Sequence, residues 1–244
     1  MLSKSQIKLI TSLKQKKYRL QHGFFVVEGI KTIMELLHSD FELVKLYTTE
    51  SFNFDAIKEE IISEADLKRI SFLKTPNKAL AVFKIPNIKS VDFNQLIIAL
   101  DDVRDPGNLG TIIRLCDWFG VKDLVCSYET VDCFNPKVIQ ASMGSIARVN
   151  ISYLDLSEFL SDNDLVSFGT FMEGEPIYTM SLPKKGVLIL GNEANGISKK
   201  IENKVTQKLS IPRFGNLQAT ESLNVATATA IFLSEFKRRQ VIET

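Results

Sequence analysis

The sequence predicts an α/β protein, a parallel sheet flanked by helices, preceded by a smaller α/β domain. Three observations carry this. Strand-like apolar runs alternate with helical patterns along the 244 residues. Two runs, 96–100 and 187–190, are apolar at every position, as strands covered on both faces are. A stretch holding Pro86, Asn87 and Asn94, with little periodicity, separates a domain at 1–85 from one at 96–244, leaving 86–95 as linker.

In the first part, residues 3–20 read as one helix, apolar at Ile7, Ile10, Leu13 and Leu20, with a basic flank at 14–19. A β run at 24–27 ends in Glu28-Gly29, helical spacing resumes over 30–38, and 43–47 reads as a strand. Ser63, with an acidic residue three positions on, starts a further helix, and 79–83 closes the domain as a strand.

In the second part, strand 96–100 runs into the turn-rich loop 101–107 and then a helix over 108–119. Leu109, Ile112, Ile113 and Cys116 share its apolar face, which leaves Thr111, Arg114 and Trp118 on another. Strands are expected at 124–126, 148–154 and 165–171, with a Pro-initiated helix at 136–142 between them. Strand 187–190 breaks into the loop 191–196. A short strand at 208–212 leads through a polar loop, 213–221, into a last helix over 222–239. That helix carries two apolar stripes, and burial on more than one side suggests packing against a second copy as much as against its own domain.

Composition excludes several classes. Hydrophobic residues make up 45% and charged residues 24%, as in ordinary globular chains, and no apolar run approaches the roughly 18 residues of a membrane span. Met1-Leu2-Ser3-Lys4 opens no apolar leader, and Cys116, Cys126 and Cys133 lack the spacing of a disulfide framework or zinc site. A reducing cytoplasm is the expected compartment. Residues 1–90 hold 15 Lys and Arg against 10 Asp and Glu, a net of +5, while the remainder nets −4. That asymmetry suits a polyanion held by the first domain, and ordinary lysine scatter accounts for it equally well.

Only His22 and His38 occur, both in the first part, so neither a histidine triad nor a histidine metal site is expected in the second. No dinucleotide or P-loop glycine pattern is present. Ligands of open α/β sheets sit beyond the carboxyl ends of strands, and the polar residues found there are Asn108, Arg114, Glu193, Ser222 and Asn224. Singly, Asn108 or Ser222 could be a helix cap and Arg114 a surface arginine.

Together they resemble a known pattern. Residues 108–114 (Asn-Leu-Gly-Thr-Ile-Ile-Arg), 190–197 (Leu-Gly-Asn-Glu-Ala-Asn-Gly-Ile), and Ile211-Pro212 with Ser222-Leu223-Asn224-Val225 resemble the three motifs of the SpoU/TrmH family, RNA 2′-O-ribose methyltransferases of the SPOUT superfamily. Residues 1–85 resemble, more loosely, the substrate-binding domain that often precedes them. The resemblance implies a C-terminal trefoil knot holding S-adenosylmethionine, largely through backbone at Gly191, Ile211 and Leu223, with Thr170 a further position. It implies no metal, and a homodimer formed through the knotted domain. Arg114 matches the family's catalytic arginine; Asn108, Glu193, Ser222 and Asn224 complete the expected catalytic set. An arginine with a pKa above about 12 is a poor base, so the expected role of Arg114 is to grip a phosphate and stabilise negative charge on the ribose oxygen, with Glu193 as a candidate partner.

Ribosomal RNA is favoured over transfer RNA by the accessory domain, and Lys14, Lys16, Lys17 and Arg19 are candidate phosphate contacts. A non-catalytic RNA-binding factor of the same fold is the alternative. The loop 213–221 is longer than is usual in the family, which loosens the alignment there.

Overall fold

The structure, a computed structural model, describes residues 1–52, 58–215 and 222–242. They form two compact units, one of residues 1–87 with 132–148 and the other of 88–131 with 149–244.

The first unit contains α1 (Lys4–Ser12), α2 (Lys16–His22), β1 (Phe24–Glu28), α3 (Ile30–Leu37), β2 (Leu43–Thr48), β3 (Glu59–Ile61), α4 (Glu64–Ile70) and β4 (Ala79–Lys84). Its sheet runs β1-β4-β2-β3, antiparallel except for the β2/β3 pair. The side-chain alternation of β1 sorts its residues between two cores. Val26 joins Ile10, Leu13, Leu67, Ile70 and Val82 on one face. Phe25 stacks with Phe83 and, on the other face, meets Phe134 at a ring distance of 4.6 Å.

The expected single helix over 3–20 is two helices. The hydroxyls of Thr11 and Ser12 donate back to the carbonyls of Ile7 and Leu9, at 2.8 and 2.7 Å, which competes with continuation of the helix. Arg19 Nη1 then donates to the carbonyls of Leu13 and Lys14, at 2.8 and 2.9 Å, satisfying backbone acceptors at the break. Ser63 caps α4 as the sequence suggests, accepting from the Asp66 amide.

Sequence order places 132–148, with α6 (Pro136–Ser142), inside the second part, yet in space it packs with the first unit. Phe134 packs on Phe25, Arg148 pairs with Glu35 at 2.6 Å, and Asp132 accepts from Arg19 Nε at 2.9 Å. Arg19 is 2% exposed, so removing its guanidinium strands a partly buried carboxylate and two carbonyls. Arg19→Ala is expected to lower stability in denaturant titration by about 3–5 kcal/mol. A loss below about 1 kcal/mol would show that the pair behaves as a solvated surface bridge.

The second unit contains β5 (Leu96–Leu100), α5 (Pro106–Trp118), β6 (Asp123–Cys126), β7 (Asn150–Tyr153), α7 (Leu156–Ser161), β8 (Ser167–Pro176), β9 (Gly186–Leu190), α8 (Lys199–Glu202), β10 (Gln207–Ser210) and α9 (Val225–Ile242). All six strands are parallel, in the order β10-β8-β9-β5-β6-β7. Every residue of β5 and β9 is buried, so the two fully apolar runs lie side by side at the centre. Each such Leu or Ile contributes about 1.5–3 kcal/mol by leaving water. Helix α9 buries Val225, Ala226, Thr229, Phe232, Leu233 and Phe236, with Phe236 edge-on to Phe168 at 5.5 Å. The chain leaves β5 for β6 and β7 on one side and returns to β8 on the other. The loops after β5 and β9 therefore meet where the strand order reverses, the usual ligand crevice of an open sheet.

Candidate active site

The loop after β5 is fastened to the loop after β9 through two contacts. Asp101, 6% exposed, accepts the Ser198 amide at 2.7 Å, and the Asp102 carbonyl accepts Asn192 Nδ2 at 2.7 Å. Asn192 turns its own loop as well: its Oδ1 accepts from the amides of Ala194 and Asn195, and its backbone exchanges two hydrogen bonds with Gly196. Closing this turn brings backbone onto Gly191. A Cβ there would stand 2.2 Å from both the Gly196 carbonyl carbon and the Ile197 nitrogen, so only glycine fits.

Helix α5 starts two residues earlier than the sequence suggests, because Asp105 is the cap: its Oδ1 accepts the Asn108 amide at 2.8 Å. Asn108 is thereby released from capping. Its Nδ2 donates to Glu193 Oε1 at 2.9 Å, and its Oδ1 accepts from Asn224 Nδ2 at 2.9 Å. Asn224 Oδ1 in turn accepts the amides of Ala226 and Thr227, at 3.0 and 3.2 Å, making Asn224 the cap of α9. The orientation of each amide follows from the two ends. The first-turn amides of α9 can only donate and an ionised Glu193 can only accept, so both asparagines must point the same way along the chain. Three loops are thus joined by a directed row of hydrogen bonds ending on a carboxylate.

Arg114 is exposed and makes no hydrogen bond or ion pair with any described residue. Of the two roles expected for Glu193, a pair with Arg114 or a hydrogen bond near the cofactor, the pair with Arg114 is not formed; Glu193 Oε1 accepts from Asn108. By helical rise Arg114 stands about 9 Å along α5 from Asn108. Ser222 is exposed and does not cap α9, which begins three residues later. The site therefore brings Asn108, Glu193 and Asn224 into contact, with Arg114 and Ser222 on the same elements but outside the row.

Of the cofactor positions, Thr170 Oγ1 donates to the Ile189 carbonyl at 3.1 Å, and the half-exposed Gly191 follows β9 directly. Ile211 lies just past β10 and Leu223 just before the cap of α9, so both present backbone outside the ladder and the helix. Residues 216–221 of the lengthened loop lie outside the described residues.

Lys14, Lys16 and Lys17 are exposed around the α1–α2 junction. Arg19 departs from the expected RNA contact: it is buried, and its donors go to Asp132 and two carbonyls. Burial pushes the Cys116 thiol up to about 12, which leaves it without nucleophilic character. Among the described residues no group of three His, Cys, Asp or Glu could hold a metal, and no helix is long and apolar enough to cross a membrane. Sequence reading missed Asp101, Asp102 and Arg104, whose one signal is the turn-rich composition of their loop, and it gave Asn192 only as part of the 190–197 motif, with no role of its own.

An all-parallel sheet with glycine, asparagine and carboxylate gathered beyond its central strands defines an α/β domain built to hold a small-molecule ligand at the strand switch. The chain belongs to the SpoU rRNA Methylase family, whose profile matches residues 95–234, and residues 4–81 match the MRM3-like substrate binding domain. Over 91% of both chains it is 28% identical to the 23S rRNA (guanosine(2553)-2′-O)-methyltransferase RlmP of Bacillus subtilis. A putative RNA methyltransferase of the TrmH family from Porphyromonas gingivalis superposes with a TM-score of 0.88 at 38% identity, covering 98% of this chain and 99% of that one. An AdoMet-bound rRNA methyltransferase from Sinorhizobium meliloti does so with a TM-score of 0.86 at 27% identity, covering 98% and 96%.

Proposed function

We propose that this chain transfers a methyl group from S-adenosylmethionine to a ribose 2′-hydroxyl of structured RNA, with ribosomal RNA as substrate. The observation that carries the reading is the row Glu193–Asn108–Asn224, which unites the three family motifs at the strand switch. The relatives named above, RNA methyltransferases and one with AdoMet bound, support it.

The residues present fit the cofactor. Gly191, Ile211 and Leu223 offer backbone donors and acceptors beside apolar side chains, suited to an adenine edge and a methionine arm, and the closure at Gly191 makes a tight backbone wall. When bound, the cofactor supplies an electrophilic methyl on a sulfonium, so no metal is needed. The protein's task is then to place a ribose hydroxyl, whose proton passes to solvent water as the carbon–oxygen bond forms, and to stabilise the charge that grows on its oxygen. Arg114, exposed and unpaired among the described residues, holds the adjoining phosphate and developing alkoxide. Asn108 is held rigid by Glu193 on one side and Asn224 on the other, and steers the sugar. Ser222 lines the same corner.

Membership of the SpoU rRNA Methylase family supports a chain threaded as a trefoil knot. Trp118 is 84% exposed on the face of α5 that carries Arg114, and Leu223 is 47% exposed near the head of α9; both support a homodimer through this unit. Lys14, Lys16 and Lys17 are read as RNA contacts, and the cytoplasm as the compartment.

The test is a tritiated-methyl transfer assay with ribosomal and transfer RNA as separate substrates, followed by mapping of ribose methylation. Label is expected on ribosomal RNA at a single ribose. Label on a base, or on neither RNA, would overturn the reading.

A further inference from the structure

Arg104 occupies the loop at the carboxyl end of β5, four residues before Asn108, and its side chain is 69% exposed. It does not float. Its Nε donates to Asp102 Oδ1 at 2.7 Å and its Nη2 to Asp102 Oδ2 at 2.9 Å, a two-point fork. Asp102 is itself fixed, its amide donating to Ser127 Oγ at 3.0 Å and its carbonyl accepting from Asn192.

Asp102 also stands at φ 60°, a left-handed conformation uncommon outside glycine. Asp102 is partly buried and Arg104 mostly exposed, so the fork holds the guanidinium in one orientation while contributing modestly to folding. Backbone held this way near a site points to a task other than stability. The fork uses only one edge of the guanidinium. The opposite edge, with Nη1 and the second Nη2 hydrogen, makes no hydrogen bond among the described residues and suits the paired oxygens of a phosphate. Asp102, which holds the guanidinium, is tied through its carbonyl to Asn192, the residue before Glu193, so the fork stands on a loop that adjoins the Glu193–Asn108–Asn224 row.

We propose that Arg104 is a second RNA-phosphate contact of this site, held by Asp102 to grip a backbone phosphate near the ribose that Arg114 serves. Together the two arginines would fix the strand on either side of the reacting sugar. The proposal rests on the RNA methyltransferase reading. It differs from the role of Arg114 in acting on strand placement rather than on the reacting oxygen.

The test uses the full chain, S-adenosylmethionine, and a transcript of large-subunit ribosomal RNA as probe. Arg104→Ala is expected to raise KM for RNA at least about tenfold, the scale of one lost charged hydrogen-bond pair. Its kcat and its cofactor affinity by calorimetry should stay near the unchanged protein's. The slope of log affinity against log salt should shrink by about 1. Arg104→Lys, which keeps the charge and loses the fork, should restore the salt slope and only part of KM. An unchanged KM and salt slope in Arg104→Ala would overturn the proposal. So would a loss of cofactor affinity equal to the loss of RNA affinity, which would mark a merely structural residue. If Arg104→Ala does not fold, the lysine variant decides alone through its KM, which must rise. Failure of the unchanged protein to methylate any RNA would instead sink the underlying reading.

Discussion

Arg114→Ala is expected to lower kcat for methyl transfer about 100- to 1000-fold, the usual cost of losing one group that stabilises a developing oxyanion. Cofactor affinity should hardly change, because Arg114 bonds to none of the described residues that frame the cofactor positions. Its exposure makes the substitution mild for the fold, so melting should shift little. Arg114→Lys should recover a small part of the rate, since a point charge replaces a planar fork. Calorimetry with the methyl donor and single-turnover transfer on RNA separate the two quantities. Full activity in the alanine variant would remove Arg114 from the chemistry, and the role of Glu193 and Asn108 would have to be rethought with it.

Gly191→Ala should produce the opposite pattern. The added methyl would sit 2.2 Å from two backbone atoms, Gly196 C and Ile197 N, and backbone cannot swing aside as a flexible side chain can. The turn at 191–197 must open, which costs about 1–3 kcal/mol or more in a packed setting. Opening it also strains the bonds from Asn192 to the Asp102 carbonyl and from Ser198 to Asp101, which tie the two crevice loops together. Cofactor affinity is therefore expected to fall by roughly tenfold or more, with a lowered melting temperature. Wild-type affinity and melting in this variant would mean that the loop can shift freely, and that the wall at Gly191 is not part of the cofactor site.

Much of the fold could be read directly. The runs that became β5 and β9 are apolar at every position because both faces of a central parallel strand are covered, and this leaves a local signature. Helix α6 and the Ser63 cap of α4 were legible for the same reason: their signals lie within a few residues. The short helices α7 and α8 were not, since six and four residues carry too little periodicity to separate from loop. The split of residues 3–20 turned on hydroxyls bonding back to carbonyls and on Arg19 meeting Asp132, 113 positions away.

The candidate site divides along the same line. The residue types at 108, 114, 193, 222 and 224 were visible as motifs. The cap at Asp105, the freedom it gives Asn108, and the fork of Arg104 on Asp102 were not. Sequence alone determined the central strands, most of the longer helices, the apolar faces and the family, because burial pattern and motif spacing are local properties of the chain. Only the tertiary structure decided that Asn108 meets Glu193 across 85 positions and Asn224 across 116, and that Arg19 is spent inside the first unit. A hydrogen bond depends on where two atoms stop in space, and that is set by how the strands are ordered, not by how far apart their residues are written.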